Sequence, residues 1–542
     1  MKLVPLGVEP REGCCYWLEM GSHRLLLDCG LRDPRPLLDL PHPPDLVICS
    51  HAHPDHLRSL AAFHQHYPDV PIYGTRLTYR LAAGLGSTWD PNGVFPAMRC
   101  LAFNRATVVR PDLMLCFFRA GHLPGAATIL LQDTATPSPQ TFIYTGDCSL
   151  AATRFSEGLD LEALRHWQPD ALLIEGTLGI ERYPSRRHLE NRLVERLATA
   201  VEEGSLVFLP VPALGLGQDL LYLLKTHHRF TQSKTRFTLW VDAAVGRGCD
   251  LYQELLTDFS QSIQNFAHYQ PLFWEERVYP HVLPLPTTLC QLVEVVSGAG
   301  IVLCHAAAPP QVWHPLWQAL SSALPQRNGN HLRWLQMPEV VLETPLTDWP
   351  AALLPHIQQE SCGWHSHLDG SALLQIIHTL RPQHVILCHG DPDALLDLAH
   401  LPELSTRYHI HCSQPYLPLD LPPSQLQPSE PSHPPIRYEG HLDEWTQPTS
   451  SGQSQTTLIQ ILLPGSLTQD PRWQHWSDTG IVEATWQGEQ LVIRGLSARE
   501  LLKPVKDPEA IQTLRIPMDV VLPSPDLNSL PPFDPEWESG QS

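Results

Sequence analysis

The sequence predicts a mixed α/β protein with more than one domain, and three observations lead to this prediction. The chain has 542 residues, which is too long for one ordinary domain. Its residues are 43% hydrophobic and 17% charged, which is enough apolar material for a sizeable core. Short apolar runs typical of buried strands alternate with amphipathic stretches of helical period, as in residues 46–49 followed by 57–63.

The N-terminal part of the chain begins with short strands. Residues 15–19 and 24–27 predict a β-hairpin, and its second strand ends at the carboxylate of Asp28. The buried strand at 46–49 comes next and leads into a polar turn before the helix at 57–63. This turn is where metal-binding residue types are most concentrated in the sequence.

The turn contains three imidazoles and a carboxylate within six residues: His51, His53, Asp55 and His56. His51 and His53 can share one metal ion, while Asp55 and His56 turn toward a second. Imidazole is a good zinc ligand, and each zinc ion needs about four ligands. Four residues cannot complete two such sites, so other ligands must come from elsewhere. The alternative is an ordinary polar turn in a histidine-rich chain, but the ordered pattern His-x-His-x-Asp-His is far more specific than that.

The turn and three later runs carry a family resemblance. The turn resembles the metal motif of the metallo-β-lactamase superfamily, His51-Ala52-His53-Pro54-Asp55-His56. The later runs resemble motifs A, B and C of its β-CASP subfamily: Glu175-Gly176-Thr177, His367-Leu368-Asp369 and His389-Gly390-Asp391. The subfamily includes RNase J and the pre-mRNA 3′-end cleavage endonucleases. The resemblance covers about residues 1–415 and implies an αββα sandwich interrupted by an α/β insert, the β-CASP domain.

The resemblance also implies a set of ligands for two Zn²⁺ ions. Each later ligand follows an apolar strand, as His122, Asp147 and His389 do. The expected ligands are His51, His53 and His122 for the first metal, Asp55, His56 and His389 for the second, and Asp147 as a bridge between them. Asp28 is expected to orient the metal loop without binding metal.

The same resemblance predicts a mechanism. Two zinc ions about 3.5–4 Å apart lower the pKa of a water molecule and neutralise the anionic phosphate. Asp147 and Asp55 belong to the expected catalytic group because they hold these ions. His367 is the candidate general acid, with its ring held by Glu175, since a carboxylate partner raises the pKa of an imidazole. The alternatives are structural: His367 then caps the next helix, and Glu175 caps the turn after its strand.

The predicted function is a zinc-dependent ribonuclease that hydrolyses RNA phosphodiester bonds, as an endonuclease or a 5′-3′ exonuclease, in RNA processing or decay. His389 favours RNA, because RNA-acting relatives carry His at motif C and DNA-repair relatives carry Val. One alternative is a non-catalytic RNA-processing scaffold, resembling paralogues that have lost metal ligands. Another is a metallo-hydrolase of small esters, which is left open by Leu216, where the family usually has Arg. The expected partner is single-stranded RNA, and a homo-oligomer is a further expectation.

Composition limits other classes of function. A net charge of −21 argues against a surface that binds nucleic acid by bulk electrostatics. The sequence contains neither an apolar run of membrane-span length nor a signal segment, so a cytoplasmic protein without a membrane partner is predicted. The 13 cysteines form no Cys-x-x-Cys pair, which predicts reduced thiols.

The predicted domain organisation follows from the motifs and from shifts in composition. Beyond residue 421 the chain is rich in Pro, Ser and Gln, which is typical of a linker. Residues 481–494 predict a β-hairpin in a small C-terminal module. The ranges are 1–178 for the first part of the metallo-β-lactamase domain, 179–360 for the β-CASP insert, 361–420 for the return segment, 421–456 for the linker, 457–520 for the module and 521–542 for a disordered tail.

Overall fold

The computed structural model describes residues 1–89, 95–135, 139–232, 235–324 and 332–422, together with the backbone of strands between 441 and 517. The chain divides into two compact units, Met1–Gln425 and Leu426–Ser542. All the predicted site residues lie in the first unit. All thirteen cysteines are free thiols.

The first unit is an alternation of strands and helices. Its strands are, in chain order, β1 (Lys2–Gly7), β2 (Cys15–Met20), β3 (His23–Leu27), β4 (Leu46–Ile48), β5 (Ile72–Gly74), β6 (Arg99–Cys100), β7 (Thr107–Arg110), β8 (Leu113–Arg119), β9 (Ala127–Asp133), β10 (Gln140–Tyr144), β11 (Ala171–Glu175), β12 (Leu206–Val211), β13 (Thr238–Val241), β14 (His281–Pro284), β15 (Gly300–His305), β16 (Leu332–Gln336), β17 (Ile357–Ser361), β18 (His384–Cys388), β19 (His409–Cys412) and β20 (Leu419–Asp420).

The helices of this unit lie between those strands. They are α1 (Arg35–Leu38), α2 (Pro54–Leu57), α3 (Leu60–His66), α4 (Arg76–Trp89), α5 (Leu161–Leu164), α6 (Arg186–Glu202), α7 (Leu216–Thr226), α8 (His228–Thr231), α9 (Ala243–Glu254), α10 (Gln261–Tyr269), α11 (Leu289–Ser297), α12 (Pro310–Ala323), α13 (Gly370–Leu380), α14 (Pro392–Ala399) and α15 (Pro402–Ser405). In the described part of the chain, none of the helices combines the length and apolar character that a membrane span requires.

Two seven-stranded sheets form the sandwich. Their strand orders are β20-β1-β2-β3-β4-β5-β6 and β19-β18-β11-β10-β9-β8-β7. One face of each sheet contributes to a shared buried core, in which Tyr16 and Leu25 of the first sheet join Phe117, Ile129 and Ile386 of the second. Because side chains alternate along a strand, the opposite faces remain free to pack against helices. Helices and sheets pack in this way through a second, larger core, and the αββα class predicted from the sequence is confirmed.

A third sheet forms the insert that interrupts the sandwich in the sequence. Its six strands run parallel in the order β14-β13-β15-β12-β16-β17, between residues 206 and 361. This range falls within the predicted insert apart from the last residue, Ser361. The chain then returns to the second sheet, where β18 pairs in parallel with β11 and places Cys388 opposite Glu175. The segments that come before and after the insert in the chain are therefore neighbours in the second sheet.

The helix predicted at residues 57–63 is divided in two. Helix α2 ends at Leu57, and α3 begins at Leu60. The break occurs at Ser59, whose backbone N–H donates to the carbonyl of Cys29 at 2.9 Å. The Ser59 hydroxyl also donates to the carbonyl of Leu31. These hydrogen bonds bind the chain to the segment after β3 instead of to the preceding helical turn.

The second unit corrects one predicted boundary. The linker was expected to continue to residue 456, but β21 (His441–Pro448) pairs with β22 (Gln455–Leu462) in antiparallel fashion. The average composition of residues 421–456 is dominated by Pro and Ser, and this average gave no indication of a strand at the proline-free residues 441–447. The partner strand is rich in Thr, Ile and Leu, residue types that include strong strand formers. The predicted hairpin is present as β23 (Ile481–Gln487) and β24 (Gln490–Gly495), with β25 (Ile516–Pro517) beside it. The rest of the linker and the predicted tail at 521–542 lie outside the described residues.

Candidate metal centre

Backbone hydrogen bonds to the segments around Cys14 and Cys29 hold the loop that follows β4 in place. The carbonyl of Asp55 accepts from the N–H of Cys14 at 2.6 Å, and the carbonyl of His56 accepts from the N–H of Cys29 at 2.7 Å. Gly30 lies against the same turn, and a Cβ atom there would be 1.7 Å from the carbonyl oxygen of Asp55. Only glycine allows this approach, so the sequence around residue 30 positions the metal loop.

Three imidazoles and one carboxylate form the first candidate pocket. One ligand atom from each of His51, His53, His122 and Asp147 lies within 4.8 Å of the others. His53 Nδ1 is 3.1 Å from both His51 Nε2 and His122 Nε2. Asp147 Oδ2 is 3.5 Å from His51 Nε2. These separations are close to those between ligand atoms around one tetrahedral ion with bonds of about 2.0–2.2 Å.

Two carboxylates and two imidazoles form the second candidate pocket. Asp55, His56, Asp147 and His389 again place one ligand atom each within 4.8 Å of the others. His56 Nε2 is 3.4 Å from Asp147 Oδ2, and His389 Nε2 is 3.3 Å from Asp55 Oδ2. Asp147 is common to both pockets, which is the position of a bridging ligand. The structure thus brings all seven predicted ligands together.

Two buried polar atoms test whether these residues fit a metal ion. His56 Nε2 and Asp147 Oδ1 are inaccessible to solvent and have no hydrogen-bond partner in the protein. A buried polar atom without a partner costs on the order of 1–3 kcal/mol. A cation in the pockets would satisfy both atoms, and imidazole with carboxylate is a donor set that zinc accepts. The residues present therefore fit the metal that the sequence predicts.

The ring nitrogens that face away from the first pocket are held by hydrogen bonds. His53 Nε2 donates to the carbonyl of Leu214 at 3.3 Å, and His122 Nδ1 donates to the carbonyl of Ser366 at 3.2 Å. A carbonyl oxygen only accepts, so each ring keeps its other nitrogen unprotonated and directed at the pocket. The insert and the return segment therefore set the tautomers of ligands in the first part of the chain.

In the second pocket, side chains hold the rings. His56 Nδ1 is 2.7 Å from Asp28 Oδ2. Thr177 Oγ1 donates its single proton to Glu175, and it therefore accepts from His389 Nδ1 at 2.9 Å. The other ring nitrogen, His389 Nε2, faces Asp55 and lies 3.3 Å from its Oδ2.

Asp28 lies beneath the loop in the position that was expected of it. It is completely buried, and its carboxylate accepts from the backbone N–H and the hydroxyl of Ser50, both at 2.7 Å. The hydroxyl of Tyr144 donates to the same carboxylate at 2.7 Å. With His56 also bound to it, Asp28 has no lone pair directed at either pocket and acts as an anchor.

Three residues of the site adopt left-handed backbone conformations. The φ angles are 59° at Asp28, 45° at His122 and 52° at His389. Such values are uncommon outside glycine and cost about 1–3 kcal/mol each. The surrounding hydrogen bonds maintain this strain, which turns His122 and His389 toward the centre and Asp28 toward the metal loop.

The imidazoles of the first pocket are held neutral. Burial lowers the pKa of His51 and of His122 well below the usual value, and it lowers that of His53 as well. Neutral imidazole is the form that binds a metal ion. The first pocket can therefore bind a cation without any of its imidazoles having to release a proton.

The second pocket is charged. Burial opposes protonation of His56, but the carboxylates of Asp147 and Asp28 outweigh it and raise the pKa of His56 well above the usual value. Burial alone would raise the pKa of Asp55, yet the hydrogen bond from His389 and the charge of His56 lower it. A metal ion entering this pocket has to displace a proton from His56.

His367 and Glu175 form a pair beside the two pockets. His367 Nδ1 is 2.9 Å from Glu175 Oε2, and His367 Nε2 is 4.0 Å from Asp147 Oδ2. Burial opposes protonation of His367, but the charges of Glu175, Asp147 and Glu339 outweigh it and raise the pKa of His367 to about 10. A protonated Nε2 thus points at the centre. The expected pairing of these two residues is present, although Asp369, and not His367, caps α13.

Helix starts position both histidines of the return segment. Asp369 caps α13 by accepting from the N–H of Ala372, and Asp391 caps α14 by accepting from the N–H of Asp393. His367 and His389 each stand two residues before such a cap. A capped helix start fixes the backbone at the end of each loop, and the preceding histidine is turned into the site.

Three contributors were not predicted from the sequence. Thr177 bridges Glu175 and His389, and the carbonyl of Leu214 holds His53. Glu339 of the insert accepts from the N–H of Ser366 at 2.7 Å and from the N–H of His367 at 3.2 Å. The position of Thr177, directly after Glu175-Gly176, was a signal for the first. A backbone carbonyl and a loop glutamate leave no such signal.

Comparison with known proteins agrees with this site. The sequence profile of the metallo-beta-lactamase superfamily matches residues 8–224, and that of the Zn-dependent metallo-hydrolase RNA specificity domain matches residues 359–413. A protein of Synechocystis sp. called "Uncharacterized protein sll0514" is 39% identical over 508 residues, covering 93% of this chain and 88% of that protein.

Two relatives with named activities are shorter matches. "Ribonuclease TTHA0252" of Thermus thermophilus is 30% identical over 50% of this chain and 64% of its own length. "Probable RNase MJ4" of Methanocaldococcus jannaschii is 29% identical over 42% of this chain and 57% of its own length. Both matches thus span less than two thirds of the relative.

The fold and the ligand set define a metal-dependent hydrolase with a histidine- and aspartate-rich centre. The chain belongs to the metallo-β-lactamase superfamily, and its relatives are consistent with the β-CASP subfamily that the motifs resemble. The predicted family is confirmed.

Proposed function

We propose that this protein is a ribonuclease that hydrolyses RNA phosphodiester bonds at a centre of two zinc ions. The observation that carries the proposal is the position of His367. It lies beside Asp147, it is held by Glu175, and it belongs to the segment that matches an RNA specificity domain at 359–413. The named activities of the Thermus and Methanocaldococcus relatives point the same way.

The residues of both pockets would hold the ions, with His51, His53 and His122 on one side of Asp147 and the remaining three ligands on the other. When bound, zinc lowers the pKa of a water molecule and neutralises phosphate charge. Asp147 Oδ2 faces both pockets, at 3.5 Å from His51 Nε2 in the first and 3.4 Å from His56 Nε2 in the second. It is therefore the group able to orient a water molecule beside the phosphate.

His367 supplies the proton for the departing oxygen. Its Nδ1 donates to Glu175, which leaves the proton on Nε2 directed at the centre. A ribose oxygen is a poor leaving group, so protonating it as the bond breaks accelerates cleavage by about 10²–10⁴-fold. Glu175 then stabilises the imidazolium and fixes its orientation.

The full ligand set weighs against a non-catalytic scaffold, because that alternative was based on relatives that have lost ligands. The proposal extends to single-stranded RNA as the substrate and to the cytoplasm as the location, as the sequence predicts.

The test uses single-stranded RNA labelled at one end or the other and the zinc-loaded full chain. The wild type should cleave it, and Asp55→Asn should not, because this change removes a ligand of the second pocket. Asp45→Asn is the matched control, since Asp45 accepts from the N–H of Arg24 and lies outside both pockets. The two labels distinguish a 5′ exonuclease, which releases single nucleotides, from an endonuclease.

Three outcomes contradict the proposal. Equal cleavage by the wild type and Asp55→Asn would exclude this centre. Turnover of a generic phosphodiester without RNA cleavage would favour the small-ester alternative. A chain that binds RNA but holds no zinc would support the scaffold.

A further inference from the structure

A buried thiol lies at the edge of the second pocket. Cys14 stands between β1 and β2, and none of its surface is exposed. Its sulfur and one ring nitrogen each of His56 and His389 lie within 4.8 Å of one another. Within the part of the chain that the structure describes, no other cysteine groups in this way with candidate metal-binding atoms.

The ordinary interpretation of a buried cysteine is packing, because a thiol behaves as a small hydrophobic group. Cys304 shows that arrangement, since it is buried within the third sheet away from the site. Cys14 differs because its neighbour His56 carries the unpartnered Nε2 atom, which is completely buried. The sulfur lies within 4.8 Å of a ring nitrogen of His56, and a cation bound in this pocket would satisfy the unpartnered Nε2 of the same ring.

The backbone holds Cys14 in this position. Its N–H donates to the carbonyl of Asp55 at 2.6 Å, and its carbonyl accepts from the N–H of Gly30 at 3.0 Å. The same segments hold the metal loop, so a shift of the loop carries the thiol with it. The sulfur therefore has a fixed placement relative to the pocket, as a ligand requires.

We propose that Cys14 is a further ligand, and that its sulfur binds the metal of the second pocket as a thiolate beside His56 and His389. On binding, the S–H bond breaks, the proton passes to solvent, and the sulfur electron pair forms the bond to the metal. Thiolate is a soft ligand that suits zinc and disfavours manganese and magnesium. Cys14 would thus select the metal, in a pocket otherwise made of oxygen and nitrogen ligands. The proposal rests on the two-metal part of the proposed function and not on RNA cleavage.

The test replaces zinc by cobalt(II) in the full chain under anaerobic conditions. Cobalt bound to thiolate gives a sulfur-to-metal charge-transfer band in the near ultraviolet, whereas oxygen and nitrogen ligands give only the weaker visible bands. The wild type should show the charge-transfer band. Cys14→Ser should lose that band and keep the visible bands, and Cys304→Ser, which alters an equally buried thiol in the third sheet, should keep both.

The outcomes separate the two proposals. Cobalt binding without a charge-transfer band in the wild type, or a band that survives Cys14→Ser, overturns the role of Cys14 and leaves the metal centre in place. Failure of the wild type to bind cobalt at all would instead remove the metal centre. If Cys14→Ser does not fold, the wild-type spectrum is sufficient, because no other thiol of the described chain groups with these ligands.

A second readout is metal preference. In a competition between zinc and manganese, the preference of the second pocket for zinc should be at least about tenfold smaller in Cys14→Ser than in Cys304→Ser. An unchanged preference would contradict the proposal.

Discussion

The two candidate metal pockets share Asp147 and differ in their charge and in the groups that hold their imidazole rings. The first consists of three neutral imidazoles, two of whose outer nitrogens are held by backbone carbonyls. The second combines Asp55 with two imidazoles whose outer nitrogens are held by the side chains of Asp28 and Thr177. The first pocket is therefore closed by contacts from the insert and return segment, and the second by polar side chains inside the sandwich.

The difference predicts that the two candidate pockets bind a cation in different ways. Neutral rings offer lone pairs at any pH near neutrality, so the first pocket binds a cation without proton exchange. In the second pocket, a proton on His56 balances the carboxylates and competes with the metal. The two pockets should therefore respond differently to mutation and to pH.

The largest effect is expected from Asp147→Asn, because Asp147 belongs to both pockets. RNA cleavage should fall on the order of 10⁴-fold or more, since loss of a residue on which the whole site depends removes most of the catalysis. Zinc per chain, measured by atomic emission, should fall in both pockets together. Asp133→Asn is the control, because Asp133 is equally buried but belongs to the end of β9. Loss of zinc from one pocket only would mean that Asp147 is not shared.

A somewhat smaller effect is expected from His367→Gln, which lies outside both pockets. Cleavage should fall roughly 10²–10⁴-fold as the general acid is lost, while zinc content stays unchanged. With a substrate whose leaving group is already acidic, such as a nitrophenyl phosphodiester, most of the loss should disappear. His378→Gln is a control on the following helix, where His378 is hydrogen-bonded to Tyr408. An equal loss with both substrates would exclude an acid role.

Thr177→Val should weaken only the second pocket. The change removes the acceptor that holds His389 Nδ1 and the donor to Glu175. Loss of such a supporting contact costs about 10–100-fold in metal affinity or activity. Thr379→Val removes an exposed hydroxyl on α13 and serves as the control. If titration with a zinc chelator shows weaker binding in the first pocket as well, the two pockets are not independent.

The smallest effect is the response to pH, and it needs one pocket at a time. His122→Ala leaves the second pocket intact, and His389→Ala leaves the first. Because the raised pKa of His56 keeps a proton in the second pocket, its zinc affinity should rise with pH between about 6 and 8, by at most about tenfold per unit for one released proton. The first pocket should change little, since its imidazoles are already neutral. Equal slopes in the two variants would contradict the comparison.

The residues that form the two candidate pockets could be predicted because they stand in short motifs at the ends of apolar strands. In a sandwich, strands such as β4, β10 and β18 present their carboxyl ends at one edge, so His51, Asp147 and His389 converge although they are far apart in sequence. The αββα class and the superfamily were predicted correctly for the same reason. The strand at His441–Pro448 was missed, because composition averaged over a segment does not detect a short pairing.

The sequence alone determined which side chains could bind metal, because the chemistry of imidazole and carboxylate belongs to the residue type and the motif spacing is local. Only the tertiary structure decided which nitrogen of each ring faces the pocket. His53 owes its tautomer to the carbonyl of Leu214, 161 residues away, and His122 owes its own to Ser366, 244 residues away. These contacts are made by backbone carbonyls, which every residue has, so the sequence contains no residue type that would predict them. They form only when the insert and the return segment have packed against the metal loop.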